Sequence, residues 1–205
     1  MNETSLIGFS RGEQTSSTFR AVDPKTGNKL ETEYSHSSES DVQRSCELAQ
    51  LASLPMASLS GHKKAGFLRL LADRLEGAVD QIVGIMTVES GLPEARVRGE
   101  TGRTSGQLRM FADLLEDGSW VDARIDRAIP ERLPLPKPDL RAMLRPVGPV
   151  AVFCASNFPL AFSVAGGDTV SALAAGCPVI VKAHHAHPGT ALLVGKLIVQ
   201  SMKES

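Results

Sequence analysis

The most apolar part of the chain is residues 147–191, VGPVAVFCASNFPLAFSVAGGDTVSALAAGCPVIVKAHHAHPGTA. Before Lys182, the only formally charged residue of this segment is Asp168. Two continuous apolar runs, at 150–154 and 179–181, are typical of parallel strands that other elements cover on both faces. The segment therefore predicts the sheet of an α/β protein.

Helical patterns alternate with these strands. Residues 163–175 are rich in small side chains and end before Gly176, a residue type that favours a helix C-terminus. After the second strand, a polar loop leads to Pro188, which begins an amphipathic helix that extends to about Met202. The order strand, helix, strand, helix predicts a βαβ crossover with a parallel sheet.

The composition is that of an ordinary globular protein, with 42% apolar and 22% charged residues in a chain of 205. The 22 Lys and Arg against 23 Asp and Glu give a net charge of −1, which provides no global field for nucleic acid or an anionic membrane. Prolines and glycines divide residues 147–181 into pieces shorter than the roughly 20 residues of a membrane span. We therefore expect neither nucleic acid nor a membrane as a partner.

The three cysteines, Cys46, Cys154 and Cys177, are odd in number and form no CxxC pair. No secretory signal opens the chain, because its first apolar stretch, residues 6–9, is short and lacks a basic flank. These features predict a cytoplasmic protein. Cys154 and Cys177 are interpreted as small buried thiols, since neither has a neighbouring base that would activate it.

Residues 38–120 have the three- and four-residue apolar spacing of surface helices. The pattern predicts four helices: one from Ser38 through Leu51 that Leu54-Pro55 closes, one with the apolar face of residues 67–75, one from about Gly77 to Glu89, and one from Pro93 to about Glu116. The charged residues of the fourth helix are predicted to form a solvated face: Arg96, Arg98, Glu100, Arg103 and Arg109.

Two further segments have simpler patterns. Residues 121–144 alternate roughly in twos and contain four prolines, which predicts two edge strands around a proline-rich turn. The first 37 residues are rich in Ser, Thr and Gly and predict loops with short strands. Two strands covered on both faces need neighbours that the chain barely supplies before Ser205, so we expect a domain that is cut off.

Two candidate residues follow the predicted parallel strands, where ligands of open parallel sheets bind. Asn157 comes just after the first strand, and its amide suits donation to a developing oxyanion, although an Asn there is also a common turn residue. Lys182 ends the second strand and suits phosphate or ribose hydroxyls, or simply reaches solvent. Together they predict one crevice that accepts a nucleotide, although the chain has neither a GxGxxG nor a P-loop motif.

Three histidines occupy four positions after Lys182: His184, His185 and His187. A metal tract is one interpretation, but no Cys, Asp or Glu nearby completes a tetrahedral set. Loop histidines beside a nucleotide are the interpretation that we favour, and we expect no metal.

Residues 145–191, from RPVGPVAVF to HPGTA, resemble the cofactor-binding segment of the aldehyde dehydrogenase superfamily. Within them, ASNFPLAFSVAGGDT followed by VKAHHAHPGT is most similar to the NADP-linked branch that oxidises 2,5-dioxovalerate, or α-ketoglutarate semialdehyde. Upstream, VESGLP at 88–93 and ETGRT at 100–104 resemble the same family. The resemblance covers nearly the whole chain and implies the N-terminal portion of a protein more than twice as long.

This resemblance implies three parts. Residues 1–120 would be the N-terminal strands and helices of the cofactor domain, 121–146 an oligomerisation β-hairpin, and 147–205 the first βαβα of a partial Rossmann-like parallel sheet. The implied fold class is thus α/β, in truncated form. The implied partners are an aldehyde substrate and, in the full-length enzyme, further copies of the same chain.

The resemblance also implies functional residues. Asn157 would stabilise the oxyanion, and the cofactor would be bound by Ala155, Ser156, Lys182, His184 and His185. Many family members have Glu three residues after the Lys, where it repels a 2′-phosphate, and His185 here favours NADP while leaving NAD possible.

The family's nucleophilic Cys and general-base Glu lie downstream of this chain, so the chain alone is expected to be inactive. A second hypothesis is a non-catalytic module that binds nucleotide or associates through its hairpin.

Overall fold

The computed structural model of the protein describes residues 2–204; Met1 and Ser205, the outer bounds of two predicted parts, lie outside the described residues. Six longer helices and eight short strands make up the described chain, with a 3₁₀ turn at Ser119–Val121. In chain order the elements are β1 Leu6–Ile7, β2 Ser10–Arg11, β3 Thr18–Val22, β4 Lys29–Ser35, α1 Glu39–Ser58, α2 Gly61–Gly77, α3 Val79–Ser90, α4 Glu94–Asp117, β5 Arg124–Asp126, β6 Leu140–Ala142, β7 Val150–Phe153, α5 Gly167–Ala175, β8 Val179–Lys182 and α6 Pro188–Glu204.

The core lies in the helical layer, where α2 packs along α4 and also contacts α6. Its largest fully buried side chains recur at three- and four-residue spacing on α2, at Leu68, Leu71 and Leu75. Leu108 of α4 and Ile82 of α3 complete the contact. All four predicted helices are present, because their apolar stripes can be buried against one another.

The predicted end of α1 at Leu54-Pro55 is wrong, since the helix continues to Ser58 with Pro55 inside it. A proline deletes one helical hydrogen bond, yet Pro55 lies in the final turn, where little helix remains to be disrupted. The turn closes when the Leu59 N–H donates to the Met56 carbonyl at 3.2 Å.

Strands β7 and β8 pair in parallel, as predicted, in the register Val150↔Val179 to Phe153↔Lys182. Helix α5 connects them and packs against both strands. Burial on both faces is not observed: Val152 is buried, but Ala151 is exposed and Phe153 keeps 73% of its surface exposed. The difference arises because helices cover one face of this pair and no described element covers the other.

Helix α5 begins at Gly167 and not at Ser163 as predicted. Residues 154–166 instead form a loop, in which the Gly166 N–H donates to the Ser163 carbonyl at 3.0 Å. A Cβ atom at Gly166 would lie 2.4 Å from the Ala161 carbonyl oxygen, so this close turn requires glycine.

The remaining predicted segments form antiparallel hairpins. β5 pairs with β6 at the base of the 121–144 segment, and Ile129 bridges Lys137 nearer its tip. In the N-terminal region, β1 pairs with β2 and β3 with β4. Within residues 2–204, no helix is both long and apolar enough to cross a bilayer.

Candidate functional site

The site lies at the carboxyl edge of the β7–β8 pair. Because Phe153 and Lys182 are partners in the register, the loops after both strands leave the sheet side by side. The Cys154 N–H extends the pairing by donating to the Lys182 carbonyl at 3.1 Å. The predicted neighbourhood of the Asn157 loop and Lys182 is thus confirmed at the level of the backbone.

The first loop, residues 154–166, is closed by hydrogen bonds between its own backbone groups, and its Asn157 is exposed. The Ala155 N–H donates to the Phe162 carbonyl at 2.8 Å, and the Phe162 N–H donates to the Phe158 carbonyl at 3.2 Å. Ser156 and Asn157 lie between the residues that form these hydrogen bonds, and both are exposed. Closure of the loop orders the backbone on either side of Asn157, which limits the entropy lost when its amide binds a ligand.

Glu100 of α4 holds the same loop in place through hydrogen bonds to its backbone. Its Oε1 atom accepts hydrogen bonds from the N–H groups of Leu160 at 2.9 Å and Ala161 at 3.0 Å. The side chain is buried, and the residue is only 3% exposed. The predicted solvated face of α4 is therefore wrong at Glu100: the two buried amide groups need an acceptor, and this carboxylate supplies it.

The second loop is joined to the first by His187. Its ring is fully buried, and its Nε2 lies 2.9 Å from the Ala155 carbonyl oxygen. This oxygen can only accept, so Nε2 is the donor and His187 carries its proton there. This hydrogen bond joins the loop of Asn157 to the loop of the histidines.

The three histidines form a stack at this edge. The His184 ring centroid lies 4.5 Å from that of His185 and 5.4 Å from that of His187. Burial lowers the pKa of His184, and the neighbouring histidines and Lys182 lower it further. His184 is thus a neutral ring at pH 7, on which the exposed His185 rests beside the exposed Lys182.

Glu89 of α3 occupies the N-terminus of α6, directly after the histidine loop. Its carboxylate accepts hydrogen bonds from Gly189 N at 2.7 Å, Thr190 N at 2.8 Å and the Thr190 hydroxyl at 2.8 Å. Burial raises the pKa of Glu89, although these bonds counter the shift. Because a helix N-terminus is an anion site, and Glu89 already fills that of α6, a ligand phosphate does not have the first N–H groups of α6 available to it.

All six predicted site residues lie in or beside the two loops: Ala155, Ser156, Asn157, Lys182, His184 and His185. Sequence reasoning missed the residues that hold these loops in place, namely Glu89, Glu100 and His187. For Glu100 a signal existed, because Val97, Thr101, Thr104 and Leu108 form a buried stripe that includes its position. For Glu89 no local signal indicated a partner 100 residues away.

The cysteines do not form a reactive centre. Cys154 and Cys177 are buried, as predicted, and Cys46 is an exposed free thiol on α1. Burial raises the pKa of the Cys154 thiol, which suppresses the thiolate that a nucleophile requires. Across residues 2–204, no group of three or more His, Cys, Asp or Glu is arranged to hold a metal ion.

Comparisons with known proteins agree on one family. The model of the aldehyde dehydrogenase family matches residues 10–202. The chain is 50% identical over 194 residues to alpha-ketoglutaric semialdehyde dehydrogenase 2 of Azospirillum brasilense, covering 94% of this chain and 37% of the relative. It is 48% identical over 172 residues to alpha-ketoglutaric semialdehyde dehydrogenase of Acinetobacter baylyi, covering 84% of this chain and 33% of the relative.

A solved structure repeats the architecture. An aldehyde dehydrogenase from Brucella melitensis biovar abortus 2308 has a TM-score of 0.83 at 26% identity, covering 98% of this chain and 39% of that chain. This chain therefore spans between a third and two fifths of the length of the proteins that it matches.

Proposed function

Because this chain belongs to the aldehyde dehydrogenase family, we propose that it is the N-terminal, cofactor-side part of an NADP-dependent enzyme that oxidises a semialdehyde to its carboxylate. The substrate that we favour is α-ketoglutarate semialdehyde, the 2,5-dioxovalerate type. Identity of 50% and 48% to two alpha-ketoglutaric semialdehyde dehydrogenases supports this choice. The observation that carries the proposal is the parallel register that brings the Asn157 loop and the Lys182–His185 loop to one edge.

The roles of the residues follow from their chemistry. Asn157 is exposed after β7, and its amide would donate to the oxygen of the aldehyde as negative charge develops there. Asn157→Ala in the active enzyme should lower kcat by roughly 10²-fold, as loss of one oxyanion donor does. Ala155 and Ser156 precede it and would line the cofactor side of the same loop.

NADP would bind at Lys182, His184 and His185, and it supplies the hydride acceptor of the oxidation. Lys182 and His185 are exposed and can reach a 2′-phosphate, whereas the α6 N-terminus is already occupied by Glu89. This arrangement suits a ligand phosphate that is bound by the side chains of Lys182 and His185. The phosphate adds nearly two negative charges, and an uncharged or cationic His185 tolerates them where a carboxylate would not. NAD remains the weaker ligand.

The chain alone is proposed to be inactive. No cysteine of this chain is proposed as the catalytic nucleophile, because Cys154 and Cys177 are buried and Cys46 is an exposed residue of α1, outside the two loops of the candidate site. In the whole enzyme, the nucleophile and the general base would come from outside this sequence.

The hairpin formed by residues 121–146 is proposed to join copies of the enzyme into a homo-oligomer. Every residue of its strands β5 and β6 is exposed, and its exposed apolar side chains include Ile125, Leu133, Leu135 and Leu140. A reducing, cytoplasmic compartment is consistent with three free cysteines.

Nucleotide binding by the purified chain tests the proposal. NADP should raise the midpoint of its thermal unfolding, and NAD should raise it less at equal concentration, because binding to the folded state stabilises it. His185→Glu should abolish the preference for NADP, and His62→Glu, at an exposed position on α2, serves as the matched control. A midpoint that responds equally to both nucleotides, before and after the substitution, would contradict the proposed role of His185.

A further inference from the structure

The arginines of α4 fall into two groups. Arg98 pairs with Asp80 and Glu94 at 2.7 Å, and Arg109 pairs with Asp73 at 2.7 Å and with Glu76. Arg103, by contrast, has no carboxylate partner among residues 2–204. The guanidinium of Arg103 is therefore available for an external anion.

Arg96 has only a partial partner. Its Nε atom lies 3.7 Å from Oε2 of the buried Glu100, which is beyond hydrogen-bond distance. Glu100 already accepts two backbone N–H groups through Oε1, and its buried Oε2 has no hydrogen-bond partner. The charge of Glu100 is therefore largely committed to the loop, and Arg96 is only weakly paired.

Both guanidinium groups lie over the aromatic residues next to Asn157. The Arg96 Cζ atom is 4.8 Å from the Phe158 ring centroid, and the Arg103 Cζ atom is 5.5 Å from the same centroid. Arg103 is also 5.2 Å from the Phe162 ring. The two rings pack edge to face at 5.2 Å.

This arrangement suits a small carboxylate. A guanidinium above an aromatic ring is held in place by the ring while its N–H groups stay available for a carboxylate, which it binds with two parallel hydrogen bonds. Arg96 and Arg103 are seven residues apart on α4, and therefore lie on one face of the helix, with Glu100 between them. That face contacts the loop that carries Asn157.

We propose that Arg96 and Arg103 form the binding site for the carboxylate at the non-reacting end of the semialdehyde, an inference that rests on the proposed function. Asn157 immediately precedes Phe158, so the oxyanion donor and the cationic site are neighbours. A five-carbon chain spans roughly 5 Å from aldehyde to carboxylate, so its two ends can contact groups that lie on or beside adjacent residues. The site would make the enzyme selective for anionic aldehydes over uncharged ones of equal length.

The probe for this site is α-ketoglutarate, the product of the proposed oxidation. It is titrated into the ¹⁵N-labelled chain while the side-chain N–H resonances of the arginines are followed by NMR. We expect the resonances of Arg96 and Arg103 to shift with a dissociation constant on the order of 1 mM, and those of Arg98 and Arg109 to stay in place. Uncharged dimethyl α-ketoglutarate, which has the same carbon skeleton, should shift neither pair.

Two variants complete the test. Arg103→Gln should weaken binding of α-ketoglutarate at least tenfold, whereas Arg98→Gln, on the same helix, should leave it unchanged. The NADP response of the same samples separates the two proposals: an intact response without α-ketoglutarate binding at Arg103 overturns only the carboxylate site. Equal binding by the wild type and Arg103→Gln, or equal shifts with the dimethyl ester, would also overturn it, and Arg103 would then be free for a carboxylate of another protein segment.

Discussion

The helical layer of α2, α3 and α4 and the β7–β8 edge have opposite properties. In the layer, large apolar side chains such as Leu71, Leu75 and Ile82 are fully buried, and surface arginines such as Arg69 and Arg109 are paired with carboxylates. At the edge, one face of the strands is open, and the histidines, Lys182 and Asn157 are held by only a few buried polar contacts. The layer supplies stability, and the edge carries the proposed binding groups, whose loops the layer holds in place.

The link between the two regions is made by carboxylates. Glu89 and Glu100 reach from α3 and α4 to the backbone of the two loops, 100 and 60 residues further along the chain. Disruption of the layer should therefore unfold the chain, whereas disruption of these links should disturb the site first.

The largest expected effect comes from a matched pair of apolar truncations. Leu75→Ala in the layer should cost about 4 kcal/mol of unfolding free energy, because it leaves a cavity in a closed core. Phe153→Ala on the open strand face should cost less than about 0.5 kcal/mol, although it removes a larger side chain. Urea unfolding measures both, and similar losses would show that the strand face is covered after all.

The second-largest loss of unfolding free energy should come from removing the Glu89 carboxylate. Glu89→Ala would leave the N–H groups of Gly189 and Thr190 and the buried Thr190 hydroxyl without an acceptor at the α6 N-terminus, at a cost of about 3 kcal/mol. The side-chain resonances of His184 and His185 should shift as well. Glu94→Ala, which removes an exposed carboxylate from α4, is the control and should change the free energy little.

Alanine substitutions at two glycines should change the unfolding free energy in opposite directions. A Cβ at Gly189 would lie 2.8 Å from Glu89 Oε1 and from the Tyr34 hydroxyl, so Gly189→Ala should cost about 2 kcal/mol. At Gly99 of α4 a Cβ would meet nothing within 4 Å, so Gly99→Ala should stabilise the chain by roughly 0.5–1 kcal/mol. Thermal unfolding of both variants is sufficient, and a stabilising Gly189→Ala would refute the close approach of Glu89.

The smallest expected effect is a dependence on pH. Hydrogen bonds from Arg109 and then Ser105 lower the pKa of Glu76 from 4.5 to about 2. Glu76 therefore contributes stability above pH 4.5, and this contribution is lost as the pH falls towards 2. Because the Glu76 side chain is half exposed, we expect under about 1 kcal/mol.

The contribution of Glu89 to stability should depend on pH in the opposite direction. Its raised pKa means that its contribution is complete below pH 4.5 and is lost as the pH rises through the folded-state value. Unfolding free energies of Glu76→Gln and Glu89→Gln, measured from pH 2 to 7, should diverge from the wild type in these two different ranges. Parallel curves would show that neither carboxylate is perturbed by folding.

Much of the fold was accessible from local pattern. The spacing of Leu68, Leu71 and Leu75 predicted α2, and the apolar runs predicted β7 and β8 with Asn157 and Lys182 at their ends. Two helix ends were predicted wrongly. Helix α1 continues past Pro55 because only its last turn follows the proline. Helix α5 begins at Gly167 because the residues before it form backbone hydrogen bonds of a loop, which the sequence pattern does not reveal.

Periodicity and strand order are properties of neighbouring residues, and so the sequence alone established the helices, the parallel pair and the candidate loops. Only tertiary structure decided that Glu89 and Glu100 are buried under those loops, that His187 joins them, and that Arg103 lies unpaired over Phe158 and Phe162. The reason is physical: the partner of a buried carboxylate or an arginine is set by distances in space, and here those partners are 55 to 101 residues apart in the chain.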